Sequence, residues 1–134
     1  KADDTDKALQ YYNFAISKDS KYAMAYNNRG SLYMLLKEYD KATSDIEKAL
    51  TLDPTYAAAY NNRGVLRHMS LKYKDALADF DAALKNDNTY AKAYLNRGIT
   101  RQMVRNEQGA CSDWNKAKEL GIEMANKYLG NDCE

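Results

Sequence analysis

A chain of 134 residues with 20 basic and 19 acidic side chains carries a net charge of +1. That is room for one compact unit, and it lacks the clustered basic stripe that nucleic acid demands. No apolar run approaches the roughly 20 residues needed to cross a bilayer, so no membrane insertion is expected. One proline and six glycines, set among abundant Ala, Leu, Lys and Tyr, exclude a β-rich or disordered chain and favour helix.

The first segment, Asp4 to about Lys18, carries Ala8, Leu9, Tyr12, Ala15 and Ile16 at the spacing of one apolar helical face. Asp3, Asp4 and Thr5 are its N-cap candidates. Ala8, Ala15 and Tyr22 return 34 residues later as Ala42, Ala49 and Tyr56. Residues 4–18 therefore read as the second half of a repeat whose first half is missing. Such a helix exposes an apolar flank, so the chain is expected either to be a fragment of a longer array or to self-associate there.

The stretch Ala25-Tyr26-Asn27-Asn28-Arg29-Gly30 recurs as Ala59-Tyr60-Asn61-Asn62-Arg63-Gly64 and as Ala93-Tyr94-Leu95-Asn96-Arg97-Gly98. A fixed period of this length marks a stacked repeat array. The repeats run over 23–56, 57–90 and 91–121, and each splits into two amphipathic helices, A then B. Helix A is expected over Ala23–Leu36, Ala57–Ser70 and Ala91–Val104; helix B over Tyr39–Leu52, Tyr73–Asn86 and Glu107–Leu120. A two-residue joint between them forces the pair antiparallel. Small residues recur where helices must approach: Gly30, Gly64 and Gly98 on A, with Ala42, Ala76, Ala110, Ala49, Ala83 and Ala117 on B. Glycine inside a helix costs about 1 kcal/mol against alanine, so its return at one register points to close packing. Large partners recur too, Tyr26, Tyr60 and Tyr94 on A and Ile46, Phe80 and Trp114 on B, and small residues facing large ones are expected to interdigitate in the core. Residues 122–129 have helical spacing again and are read as a short capping helix over the last repeat.

Tyr26, Gly30, Tyr33, Tyr39, Ala42, Ile46, Ala49 and Pro54 resemble the signature of the tetratricopeptide repeat family. Tyr60, Gly64, Tyr73, Ala76, Phe80 and Ala83 repeat it. Tyr94, Gly98, Ala110, Trp114 and Ala117 keep it a third time, with Glu107 in an aromatic's place and Gly121 closing helix B. The resemblance implies an all-α, right-handed superhelical solenoid of antiparallel helix-turn-helix repeats, with the A helices on the concave side. It implies a non-enzymatic scaffold without a cofactor, binding a peptide or protein segment in that groove. The alternative is a structural spacer or self-association segment of a longer array.

The expected groove residues are Asn27, Asn28, Ser31, Asn61, Asn62, Val65, His68, Lys92, Leu95, Asn96 and Ile99. Helix propensity disfavours asparagine, so the column Asn28, Asn62, Asn96 calls for a reason. An amide both donates and accepts and so can hold a peptide backbone; bonds within the array are the other explanation. A better-known subset of the family grips acidic chaperone tails with a two-carboxylate clamp. Asn27, Ser31, Asn62, Lys92 and Asn96 stand at its places, and only Asn62 and Lys92 agree, which argues against that ligand.

Arg29, Arg63 and Arg97 recur on helix A, and Asp45, Asp79 and Asp113 on helix B, at registers that lie side by side in an antiparallel hairpin. Each arginine is expected to pair with the aspartate of its own repeat. The single histidine, His68, has no nucleophile, acid or metal co-ligand at helical spacing, so no catalytic or metal site is expected. Cys111 and Cys133 are either a buried thiol and a tail thiol, or a disulfide pinning the cap. The first leaves a cytoplasmic location open; the second implies a periplasmic or secreted one.

Overall fold

The computed structural model describes residues 2–130 and 133. Among them are seven α-helices, one 3-10 helix and no strand. The helices are α1 (Ala2–Lys18), α2 (Ala23–Leu35), α3 (Tyr39–Leu52), α4 (Ala57–Met69), α5 (Tyr73–Asn86), α6 (Ala91–Met103) and α7 (Glu107–Glu119), and the 3-10 helix is Glu123–Lys127. The chain is an all-helical repeat solenoid. The hairpins α2–α3, α4–α5 and α6–α7 stack through α3–α4 and α5–α6. The A helices also touch in sequence, α2 with α4 and α4 with α6, with no comparable contact from α3 to α5 or from α5 to α7. Drawing the A helices together while the B helices splay curves the array and puts the A helices on its inner side.

The joints between A and B are three residues, one longer than the spacing suggests, because each A helix stops a residue earlier. In the first, the Lys37 N–H donates to Met34 O at 3.0 Å and the Glu38 N–H to Tyr33 O at 2.9 Å. The same pair of bonds closes α4 and α6. This helix stop needs one left-handed residue, usually glycine. Here it is Lys37, Leu71 and Arg105, with φ of 60°, 62° and 63°. The joints from B to A use side chains instead. Asp53 Oδ1 accepts from the Thr55 N–H and hydroxyl, and Asp87 Oδ1 accepts likewise from Thr89. The threonine bonds, the hydroxyl's first, hold both carboxyls below the usual aspartate range.

The core lies where the glycine notches meet the large B-helix residues. A Cβ on Gly30 would stand 2.8 Å from Ile46 Cγ1, on Gly64 2.6 Å from Phe80 Cε1, and on Gly98 2.5 Å from Trp114 Nε1. Ala42, Ala49, Ala76, Ala83, Ala110 and Ala117 are fully buried around these residues. Burying a ring such as Phe80 contributes about 1.5–3 kcal/mol, but only because the partner helix lacks a side chain at that spot. The repeat tyrosines close the stack: Tyr26, Tyr60 and Tyr94 donate their hydroxyls to the carbonyls of Ser20, Pro54 and Asn88 at 3.3, 2.8 and 3.0 Å.

The two ends differ from the middle. α1 begins at Ala2, so Asp3 and Asp4 lie inside its first turn instead of capping it. There their charge suits the positive end of the helix dipole. α1 buries no residue fully, and Tyr11 and Phe14 are 66 % and 61 % exposed. At the other end the expected capping α-helix over 122–129 is a five-residue 3-10 helix. Gly121, with φ 98°, ends α7 and turns the chain back. Ala125 is then buried, and Ile122, Tyr128 and Leu129 pack on Leu95, Trp114 and Ala117. A disulfide joins Cys111 to Cys133.

Candidate functional site

The recurrent charges bind helix A to helix B. Arg29 Nε and Nη2 donate to Asp45 at 2.7 Å each, Arg63 Nη2 to Asp79 at 2.8 Å, and Arg97 Nη2 to Asp113 at 2.7 Å. All three aspartates are buried. Bonding to Asp45 raises the Arg29 pKa; burial pulls Arg63 and Arg97 down, and their bonds to Asp79 and Asp113 more than offset it. Two features were not anticipated. Arg67 and Arg101 add a second guanidinium to Asp79 and Asp113, at 2.9 Å in each case. Arg29 and Arg97 also reach back to the preceding B helix, to Asn13 at 2.8 Å and Asp81 at 2.9 Å. The signal for the first was present: Arg67 and Arg101 share a register, and Tyr33 holds that place in the first repeat. These arginines are bound within the array.

The inner face is built from the middle of α2, α4 and α6. Asn27, Asn61 and Leu95 do not line it, which corrects the expectation from spacing. Asn27 and Asn61 are 3 % and 4 % exposed, and Leu95 is buried against Ala110 and Trp114. They sit on the flank that meets the next repeat. Asn62 Nδ2 donates to Asn27 Oδ1 and to Ser31 Oγ, both at 2.9 Å. Asn96 Nδ2 donates to Asn61 Oδ1 at 3.0 Å. The neighbouring Tyr56 hydroxyl is raised by burial, with a hydrogen bond from Asn27 working the other way. Asn62 and Asn96 of the asparagine column thus bond first from repeat to repeat.

These bonds decide what the groove can offer. An amide nitrogen carries two hydrogens. Both of Asn62's are used, so its Oδ1 remains for a ligand. Asn96 keeps one hydrogen and its oxygen. His68 Nδ1 lies 2.8 Å from Thr100 Oγ1, and the Thr100 hydroxyl donates to Asn96 O at 3.0 Å. Thr100 has one hydroxyl hydrogen, so His68 donates from Nδ1 and presents Nε2 as an acceptor. Burial lowers the His68 pKa, which favours this neutral form. Thr100 is fully buried and was missed, since a lone threonine leaves no recurring trace. The ring also meets Tyr73 edge-on at 5.2 Å.

Asn28, Ser31, Val65 and Ile99 are half-buried on this face, and Lys92 is exposed. Leu35, Met69 and Met103 are exposed at one register, at the C-terminal end of each A helix. Among the described residues no cluster of His, Cys, Asp and Glu could hold a metal ion, and no helix is long and apolar enough to cross a membrane.

Two family models, both described as tetratricopeptide repeat, match residues 23–56 and 46–78. Among solved structures, the first tetratricopeptide repeat domain of Spaghetti (RPAP3), bound to the HSP90 peptide SRMEEVD, is 26% identical with a TM-score of 0.76. The match covers 83% of this chain and 90% of that one. The OM64 tetratricopeptide repeat domain from Arabidopsis is 25% identical with a TM-score of 0.72, over 80% of this chain and 93% of its own. MamA, at 22% identity and a TM-score of 0.75 over 98% of this chain and 84% of its own, shares the fold. No curated protein matches the chain.

Proposed function

This chain is a tetratricopeptide repeat protein, a protein-interaction scaffold, and on that footing we propose that its concave face binds an extended peptide or protein segment. The observation that carries the reading is the state of Asn62: its amide hydrogens are spent on Asn27 and Ser31. The centre of the groove therefore accepts, through Asn62 Oδ1 and His68 Nε2. A peptide backbone laid along α4 supplies N–H donors to these atoms. Its apolar side chains reach Val65, Ile99, Met69 and Met103, and methionine adapts to different shapes.

The peptide bound in the Spaghetti structure ends in glutamate, valine and aspartate. This groove is built for a different ligand. Of the clamp positions, Asn27 is buried, Asn62 is committed to the array, and Lys92 alone supplies a cation.

A peptide array identifies ligands, and fluorescence polarisation then measures them against variants. Met69→Glu with Met103→Glu changes two exposed side chains and is expected to weaken binding at least tenfold, about 1.4 kcal/mol, with helix content unchanged. Asn62→Ala and Asn96→Ala weaken it too. SRMEEVD binds no better than its C-terminal amide. An array without binders, or affinity that survives Met69→Glu with Met103→Glu, refutes the groove.

A second reading, self-association, rests on α1, whose Tyr11 stands where the other B helices carry the buried aspartate. Sedimentation should then show a concentration-dependent dimer that Tyr11→Asp abolishes; a monomer at every concentration removes the idea.

A further inference from the structure

We propose that the Cys111–Cys133 disulfide is a redox latch: oxidised, it holds the 3-10 cap against the face of α7 around Trp114; reduced, it releases the cap and bares that face. This goes beyond groove binding and stands without it.

The face under the cap is one that the rest of the array covers with a helix. Ala83 and Leu84 of α5 are covered by Ala93 and Tyr94 of α6. Among the described residues α7 is followed by no such helix. In its place Ile122, Ala125, Tyr128 and Leu129 cover Trp114 and Ala117, with Tyr128 stacked on the indole at 5.1 Å.

Among the described residues the cap has few other ties to the array. A five-residue 3-10 helix has poor hydrogen-bond geometry and little stability of its own. Ala125 is its one fully buried residue, and among the described residues no ion pair joins 122–130 to the array. Water reaches the edge of the cover: an open cleft of about 70 Å³ is lined by Trp114, Tyr128, Cys111 and Cys133 together with the exposed Gln102 and Glu107. Gly121, in the left-handed region with nothing within 4 Å of its absent side chain, supplies a hinge.

The disulfide spans 22 residues and returns the tail to the first turns of α7. Both cysteines are half-buried and line the open cleft, the route by which a dithiol would approach the bond. One thiolate of the dithiol attacks a sulfur, the S–S bond breaks as a mixed disulfide forms, and the second thiolate displaces the protein. Two electrons and two protons pass to Cys111 and Cys133, and the dithiol leaves as its own disulfide. Losing a cross-link over a loop of this length raises the opening equilibrium on the order of a hundredfold.

Trp114 is the single tryptophan and reports the event directly. The oxidised protein, the protein in dithiothreitol, and the C111S/C133S double variant are compared by tryptophan emission, tryptic cleavage after Lys127 and far-UV circular dichroism. Reduction is expected to shift emission to the red and to speed cleavage at least tenfold while helix content stays. The double variant should match the reduced protein with or without dithiothreitol. Unchanged emission and cleavage would show that packing alone holds the cap, and loss of helix on reduction would make the bond a staple of the whole fold. A response of the double variant to dithiothreitol would place the effect elsewhere. Each of the three overturns the proposal.

Discussion

Replacing Gly64 with alanine sets two effects against each other, and the structure says which is larger. Alanine in a helix is favoured over glycine by about 1 kcal/mol. The added methyl, however, meets Phe80 Cε1 at 2.6 Å and Cδ1 and Cζ at 2.9 Å. Carbon atoms prefer about 3.5–4.0 Å, so α4 must retreat from α5 by about 1 Å. Phe80 is fully buried, and close-packed interiors give a ring little room to turn. Overpacking of this kind costs about 1–3 kcal/mol, and three ring atoms in conflict place it near the top of that range. The net loss is then about 2 kcal/mol, or a fall in Tm of about 8 °C. Thermal unfolding followed at 222 nm measures it. Two comparisons sharpen the test. Gly98→Ala should cost more, since it meets Trp114 at 2.5 and 2.7 Å; Gly30→Ala should cost less, since only Ile46 Cγ1 lies under 3.0 Å. Phe80→Leu should partly rescue Gly64→Ala, with a coupling of about 1 kcal/mol or more in a double-mutant cycle. A Gly64→Ala protein more stable than its parent would mean that the notch does not set the helix spacing.

Three further outcomes follow from the same packing. Asp79→Ala strips the partner from both Arg63 and Arg67 and should cost about 3 kcal/mol by urea unfolding. Asp45→Ala leaves only Arg29 without its carboxylate and should cost less; equal losses would deny the second arginine any part. Leu71 is 71 % exposed in a left-handed conformation, so Leu71→Gly loses no packing and should stabilise by about 1 kcal/mol; a lower Tm would show that the exposed leucine packs. Burial lowers the His68 pKa in the folded protein. The unfolded chain then binds the extra proton first, and stability falls as the pH drops through about 6.5 towards the folded value. NMR titration should place His68 below its ordinary value, and His68→Gln should flatten that limb; a raised pKa would refute the neutral ring.

The asparagine doublet shows where reading a sequence stops. Asn27 and Asn28 return together as Asn61 and Asn62, and periodicity says that both matter. It does not say that one is buried between repeats while the other faces inward. Neighbours on a helix point about 100° apart, so the answer depends on how far each hairpin is rotated on the last. Asparagine's poor helix propensity was a sound signal of a special role, and the role proved to be bonding within the array before any bonding to a ligand. Likewise Glu107, where the resemblance favours an aromatic, gave no hint that Asn106 would cap α7 by accepting the Gly109 N–H at 3.0 Å.

Within one hairpin, most of the structure was legible in the sequence: the 34-residue period, small residues set against large ones, and the registers of Arg29 and Asp45 and their copies. These contacts join residues a fixed, short distance apart in the chain, and each is written three times. Between hairpins, only the tertiary structure decided the outcome. Asn62 on Asn27, His68 on Thr100, Arg97 on Asp81 and the disulfide that brings Cys133 back to Cys111 all depend on the angle and rise from unit to unit or on the path of a tail that leaves the period. Those quantities are sums over many packed side chains, and no single spacing in the chain records them.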